Sequence, residues 1–245
     1  MTSDLPEARP ATSEATTSEA TAEEVLPAAV LWDMDGTLVD TEPYWIEAEH
    51  ALVEAHGGTW SHEQAMQLVG SALPASARIL QQAGVDLPVD EIIDNLLTTV
   101  VARTQEHVPW QPGARELLSA LADAGVPCAL VTMSYRRLAR VVAEQTGGAF
   151  VTVVAGDDVA RGKPDPEAYL TAAERLGVAV ERCVAIEDSP TGIAAALASG
   201  ARTLGVESVL PVAPAPGLSR ASSLTDVGVS TIVRIAAGEV LELRR

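Results

Sequence analysis

The sequence predicts an α/β fold, a parallel sheet covered by helices, with one long all-helical insertion. Two observations lead there. From Pro112 to Val206, short apolar runs alternate with helical patterns whose ends fall on Gly125, Gly147-Gly148, Gly177 and Gly200. Strands alternating with glycine-stopped helices build a parallel sheet. Upstream, about seventy residues show helical spacing alone, too many for an ordinary βα crossover.

In chain order, residues 1–26 are mostly Ala, Thr, Ser, Glu and Pro, a composition that cannot offset its own ordering entropy. They are expected to form a disordered acidic tail. They lack the basic and apolar regions of a secretory signal and are too acidic for a transit peptide, so a cytoplasmic protein is expected.

The first strand is the apolar run Val30 to Trp32, followed at once by Asp33, Asp35 and Gly36. Gly36 lets the chain turn, which leaves both carboxylates at the strand's exposed carboxyl end, where open parallel sheets bind ligands. Side chains two apart on extended backbone tend to face the same way. Crowded carboxylates are relieved by a divalent cation or a shared proton. An acidic turn capping a strand would look the same in isolation. An EF-hand loop would not: its glycine position here is Leu38, its bidentate glutamate position is Tyr44, and a strand precedes it where a helix should stand.

The insertion opens at Thr41 or Asp40, either able to cap a helix with Pro43 in its first turn. Trp45, Ala48, Leu52 and Ala55 share one face, and Gly57-Gly58 ends the helix. Helical patterns continue to about residue 107, broken at Trp60-Ser61, Gly70-Ser71 and Gly84 to Pro88. The expected division is a core of 27–41 and 111–208, a helical cap of 42–110, and a C-terminal segment, 209–245, that is partly loop. Within the core, strands are expected at Val126–Thr132, Val151–Ala155, Cys183–Glu187 and Ala201–Val206. The intervening helices centre on Leu117–Leu121, Leu138–Val142, Pro166–Leu176 and Pro190–Ser199. After Val206, residues 210–217 read as loop, and Leu224 with Ile232–Val240 as a marginal strand and a short helix.

Composition excludes several classes. Hydrophobic residues make up 47% of the chain, which is globular rather than disordered, yet no apolar run approaches a bilayer's thickness. A formal charge of -18 argues against binding nucleic acid or an anionic membrane. The same charge means that any phosphate site must supply local positive charge, which a metal would help to do. Cys128 and Cys183 lie within apolar runs and read as buried thiols in a reducing compartment. Monomer and dimer are both compatible with the sequence.

Polar residues gather at the predicted strand ends. The second core strand ends in Thr132-Met133-Ser134, the loop after the third carries Gly162-Lys163-Pro164-Asp165-Pro166, and the fourth ends in Glu187-Asp188-Ser189. Each alone is an ordinary turn or helix cap. Lys163 is the only lysine, every other cationic side chain being arginine, which suggests that a compact ammonium is wanted there.

Together these stretches resemble the haloacid dehalogenase-like (HAD) hydrolase superfamily, in its branch with a helical cap after the first strand. The resemblance covers roughly residues 28–206, with Asp33-Met34-Asp35-Gly36-Thr37, Thr132, Lys163 and Glu187-Asp188-Ser189 in the family's order. It implies a Rossmann-like core with its switch point between the first and fourth strands. It further implies that Asp33 is the nucleophile, forming an aspartyl phosphate, and that Asp35 is the general acid and then the base. Mg²⁺ would be held by the Asp33 and Asp188 carboxylates and the Asp35 main-chain carbonyl. Thr132 would bind phosphate oxygens, Lys163 would balance charge between phosphate and Asp33, and Glu187 would orient Asp188 or reach the metal through water.

Asp35 argues against true dehalogenation, which needs no proton on the leaving halide, and a cap without lysine argues against a Schiff-base phosphonatase. A β-phosphoglucomutase-like mutase must grip two phosphates, and the cap offers only Arg78 and Arg103 among its many acids. The expectation is a phosphatase for a small phosphomonoester, with the mutase as the alternative. Trp45 and Trp60 are candidates for the leaving-group pocket, with core packing as the competing role. A response-regulator receiver also phosphorylates an aspartate, but after the third strand and without a cap.

Overall fold

The computed structural model describes residues 26–69, 71–209 and 211–244, so the expected acidic tail lies, apart from Leu26, outside the described residues. The strands are β1 (Ala29–Trp32), β2 (Cys128–Val131), β3 (Phe150–Val154), β4 (Cys183–Glu187), β5 (Arg202–Val206), β6 (Leu218–Ala221) and β7 (Glu242–Leu243). They form one sheet in the order β3-β2-β1-β4-β5-β6-β7, and every pairing is parallel. β1, β2 and β4 are buried at every residue, as apolar runs require of strands covered on both faces.

Alternate residues of β1 divide the core. Val30 and Trp32 face α5 (Ala114–Asp123), α6 (Arg136–Glu144) and α9 (Val229–Ala236). Ala29 and Leu31 face α7 (Glu167–Leu176) and α8 (Pro190–Ser199). From β1 the chain runs to β2 and β3 on one side, then crosses back to β4 on the other, so the switch point lies between β1 and β4, as expected. Such a reversal opens a crevice at the strands' carboxyl ends.

Four helices form the insertion after β1, ahead of α5 and β2: α1 (Glu42–Ala55), α2 (His62–Met66), α3 (Leu73–Gln82) and α4 (Val89–Glu106). Their two linkers run side by side: the Asp40 N–H donates to the Pro109 carbonyl at 2.8 Å and the Gln111 N–H to that of Leu38 at 3.0 Å. On the far side, Arg137 on α6 reaches Asp94 on α4 at 2.8 Å.

Two expectations are corrected. Thr41 stands at the N-terminus of α1 but makes no side-chain cap, because its hydroxyl donates to Asp35 instead. The sheet also continues past residue 208 through β6 and β7, and Leu224 lies in a short 3-10 turn rather than a strand, while Ile232 lies in α9, a short helix as expected. Ser219 and Arg220 break the apolar signature of β6. Inside the fold they are satisfied, Ser219 accepting the Leu241 N–H and Arg220 pairing with Glu242. Both cysteines are buried free thiols, and burial pushes Cys128 up to about 12 and Cys183 to about 11.

Candidate active site

The site begins where β1 ends. The Asp33 N–H donates to the Ile186 carbonyl at 3.0 Å, which continues the β1–β4 ladder and fixes Asp33 at the switch point. The chain then turns at Gly36, whose φ of +91° favours glycine. A Cβ there would also lie 2.1 Å from Asp188 Oδ2, so the turn and the β4 loop touch through the space that a side chain would fill.

Lys163 links the two strands chemically. Its Nζ lies 2.5 Å from Asp33 Oδ1 and 2.6 Å from Glu187 Oε1, and donates to the Val131 carbonyl at 3.0 Å. Its peptide bond to Pro164 is cis. Burial alone would depress the ammonium, but Asp33 and Glu187 outweigh it and hold Lys163 well above its ordinary value. Asp33 is raised well above the carboxylate range, chiefly by burial and then by Glu187.

Glu187 is wholly buried and its oxygens are fully engaged. Oε1 also accepts the Tyr169 hydroxyl at 3.0 Å, while Oε2 accepts the Asp188 N–H at 3.0 Å and both the N–H and the hydroxyl of Ser189 at 3.1 Å. Ser189 in turn caps α8 by accepting the Gly192 N–H at 3.0 Å. A Cβ at Gly192 would stand 1.7 Å from Glu187 Oε1, so only glycine lets the first turn of α8 cover this carboxylate.

Carboxylate oxygens of Asp33, Glu187 and Asp188 lie within 4.8 Å of one another, the only such group among the described residues. Thr37 donates to Asp188 Oδ1 at 3.1 Å, and burial with Glu187 close by pushes Asp188 up to about 7. Crowded, buried, hard oxygen donors fit a cation such as Mg²⁺. With Glu187 engaged on both oxygens, Asp33 and Asp188 are the side chains left to face it.

Asp35 points elsewhere. Its Oδ1 accepts the Thr41 hydroxyl at 2.5 Å, and its Oδ2 accepts those of Thr132 at 3.1 Å and Ser134 at 2.8 Å. Thr132, expected to bind phosphate, is here turned to Asp35 and accepts the Ser134 N–H at 2.9 Å. Thr41, Tyr169 and Gly192 were not singled out for the site from sequence. Their roles arise from contacts across the fold, and no local spacing marks them.

Above these groups is a cavity of about 140 Å³ whose floor includes Asp33, Asp35 and Lys163 and whose roof belongs to the cap. Trp45 lines it, with Glu42 and Glu49 from the same face of α1. Trp60 is not among the lining residues: it is buried in the cap and its indole donates to Glu49 Oε2 at 3.2 Å. Burial pushes Glu42 and Glu49 up to about 7, Glu42 being raised further by Asp35 and Glu49 by Glu42, against the Trp60 hydrogen bond. Neither cap arginine lines the cavity, and Arg103 pairs on the exposed side with Glu47 at 2.8 Å. Among the described residues, Lys163 is the cavity's only cation.

The chain is similar to known proteins in sequence and fold. A family model described as haloacid dehalogenase-like hydrolase matches residues 27–200. The chain is 31% identical over 212 residues to the phosphorylated carbohydrates phosphatase of Thermotoga maritima, covering 84% of this chain and 94% of that protein. It is 34% identical over 178 residues to hexitol phosphatase A of Escherichia coli, covering 72% and 81% respectively. Among solved structures, that of CbbY from Rhodobacter sphaeroides in complex with phosphate superposes with a TM-score of 0.76 at 27% identity, covering 84% of this chain and 99% of that one. With the carboxylates, the lysine and the inserted helices in place, the chain belongs to the haloacid dehalogenase-like hydrolase family.

Proposed function

We propose that this enzyme is a Mg²⁺-dependent phosphatase that hydrolyses a small phosphomonoester, a sugar phosphate or similar metabolite, through an aspartyl-phosphate intermediate. The observation that carries the reading is Lys163 clamped between Asp33 and Glu187, with Asp188 beside them at the sheet's switch point. Mg²⁺, when bound by the Asp33 and Asp188 carboxylates and the Asp35 main-chain carbonyl, would neutralise phosphoryl charge that otherwise repels a carboxylate nucleophile. Asp33 attacks phosphorus and the bond to the leaving oxygen breaks, while Asp35 gives that oxygen its proton. Asp35, now a carboxylate, takes a proton from water, whose oxygen displaces Asp33 and releases inorganic phosphate. Thr41, Thr132 and Ser134 hold Asp35 in place for both transfers. Lys163 favours the ionised form of Asp33 against burial and Glu187, and Thr132, which lines the same cavity, would bind a phosphate oxygen.

The relatives named for phosphorylated carbohydrates and hexitols support a sugar-phosphate substrate. The mutase alternative is weaker, because no cap cation lines the cavity to grip a second phosphate. No described helix is long and apolar enough to cross a membrane. We place the enzyme in the cytoplasm, a reading supported by its two free, buried thiols. Incubation with p-nitrophenyl phosphate and Mg²⁺ tests the activity. Hydrolysis abolished in Asp33→Asn is expected, and hydrolysis undiminished in that variant, or none by the wild type, overturns the reading.

A further inference from the structure

We propose that Glu49 and Ser76, in the cap wall of the catalytic cavity, select a neutral polyhydroxy leaving group and reject one that carries a second anion. The inference rests on the phosphatase reading and goes beyond it by naming the substrate's charge.

Both side chains are 4% exposed, and both line the cavity from different cap helices, Glu49 from α1 and Ser76 from α3. Glu49 Oε2 accepts the Trp60 indole, but among the described residues Oε1 accepts nothing, and the Ser76 hydroxyl has no partner. Neither atom is sealed off, Trp32 Nε1 being the one fully buried side-chain nitrogen or oxygen without a partner among the described residues, so both open onto the cavity and are free to bond the polar groups of a ligand. A carboxylate oxygen can only accept, which calls for a donor on the ligand, and a hydroxyl serves either role. Sugar or polyol hydroxyls match both. Trp45, on the same wall, offers an apolar face to the carbons between them.

Charge decides what is refused. Glu42 lines the same cavity, and the single cation there, Lys163, already serves Asp33, Glu187 and the Val131 carbonyl. Above about pH 7, where Glu42 and Glu49 are ionised, a carboxylate or second phosphate on the leaving group would meet carboxylates with no free cation lining the cavity to neutralise it. Like charges brought together in a confined site discriminate strongly.

The test uses matched pairs in which a terminal CH₂OH is replaced by a carboxylate: sorbitol 6-phosphate against 6-phosphogluconate, and glycerol 3-phosphate against 3-phosphoglycerate, with Mg²⁺. The wild type is expected to favour the polyol in kcat/KM by about a hundredfold in whichever pair it uses better. Glu49→Gln, which keeps the side chain's size and adds an amide donor, is expected to shrink that ratio by about tenfold or more. Ser76→Ala is expected to lower kcat/KM for the polyol by about tenfold. Parity within both pairs, turnover of p-nitrophenyl phosphate but of no polyol phosphate, or variants that leave ratios and rates untouched overturn this inference while leaving the phosphatase intact. Absence of hydrolysis with every substrate, p-nitrophenyl phosphate included, overturns the underlying reading. The wild-type ratios bear on the inference whether or not either variant folds.

Discussion

Replacing Lys163 by methionine should destabilise the fold as well as stop catalysis, and the structure indicates by how much. The Lys163 side chain is 4% exposed and stands 2.5 Å from Asp33 and 2.6 Å from Glu187, whose side chains are 10% and 0% exposed. Methionine fills most of the stem's volume, so little of the loss is packing. Removing the ammonium instead leaves two buried carboxylates facing each other without a counter-charge, and breaking a buried pair on one side costs about 3–5 kcal/mol. Adding Glu187→Gln to Lys163→Met removes one of the stranded charges and should recover about half of that loss. Mg²⁺ should offset part of it too, since a cation held by Asp33 and Asp188 partly replaces the missing charge. Urea denaturation of the wild type and both variants, in EDTA and in excess Mg²⁺, measures all of these. If Lys163→Met falls within about 1 kcal/mol of the wild type in EDTA, the buried pair is not what holds the two strand ends together.

Gly36→Ala must accommodate a Cβ 2.1 Å from Asp188 Oδ2 at a φ of +91°. It should lower stability by about 1–3 kcal/mol and weaken Mg²⁺ activation of p-nitrophenyl phosphate hydrolysis by about tenfold or more; an unchanged Mg²⁺ titration would contradict the contact. Glu49 is raised from 4.5 to about 7 by burial, so the folded chain holds that proton more tightly than the unfolded one. The stability it contributes is fully present below about pH 4.5 and is lost as pH rises through about 7. Glu49→Gln lacks that dependence and should gain about 1–3 kcal/mol on the wild type between pH 5 and pH 8, read from urea midpoints at the two values. A difference that does not change with pH would show that Glu49 titrates normally.

Asp33, Asp35, Lys163 and Asp188 were legible because strand-end chemistry is local: an apolar run, a carboxylate and a glycine or proline within a few residues. The helical insertion was legible from its spacing and length. Glu187 was noticed, but its saturation by Lys163, Tyr169 and the start of α8 depends on partners brought together only by the fold. Thr41 looked like a helix cap because its local setting offers one, and a carboxylate six residues earlier won its hydroxyl. β6 escaped notice because a strand near the sheet's edge can carry Ser219 and Arg220 where a central strand cannot. Trp45 and Trp60 were indistinguishable as letters. Their roles separated only when α1 turned one toward the cavity and the cap interior took the other.

A chain with one lysine also carries its own reporter. Isotopic enrichment in that amino acid alone would place a single side-chain amine signal in the spectrum, and it would come from the heart of the site, shielded from solvent by the carboxylates around it. Acylating reagents that scatter over most protein surfaces would find no other side-chain amine here, so loss of that signal's protection would register local opening directly.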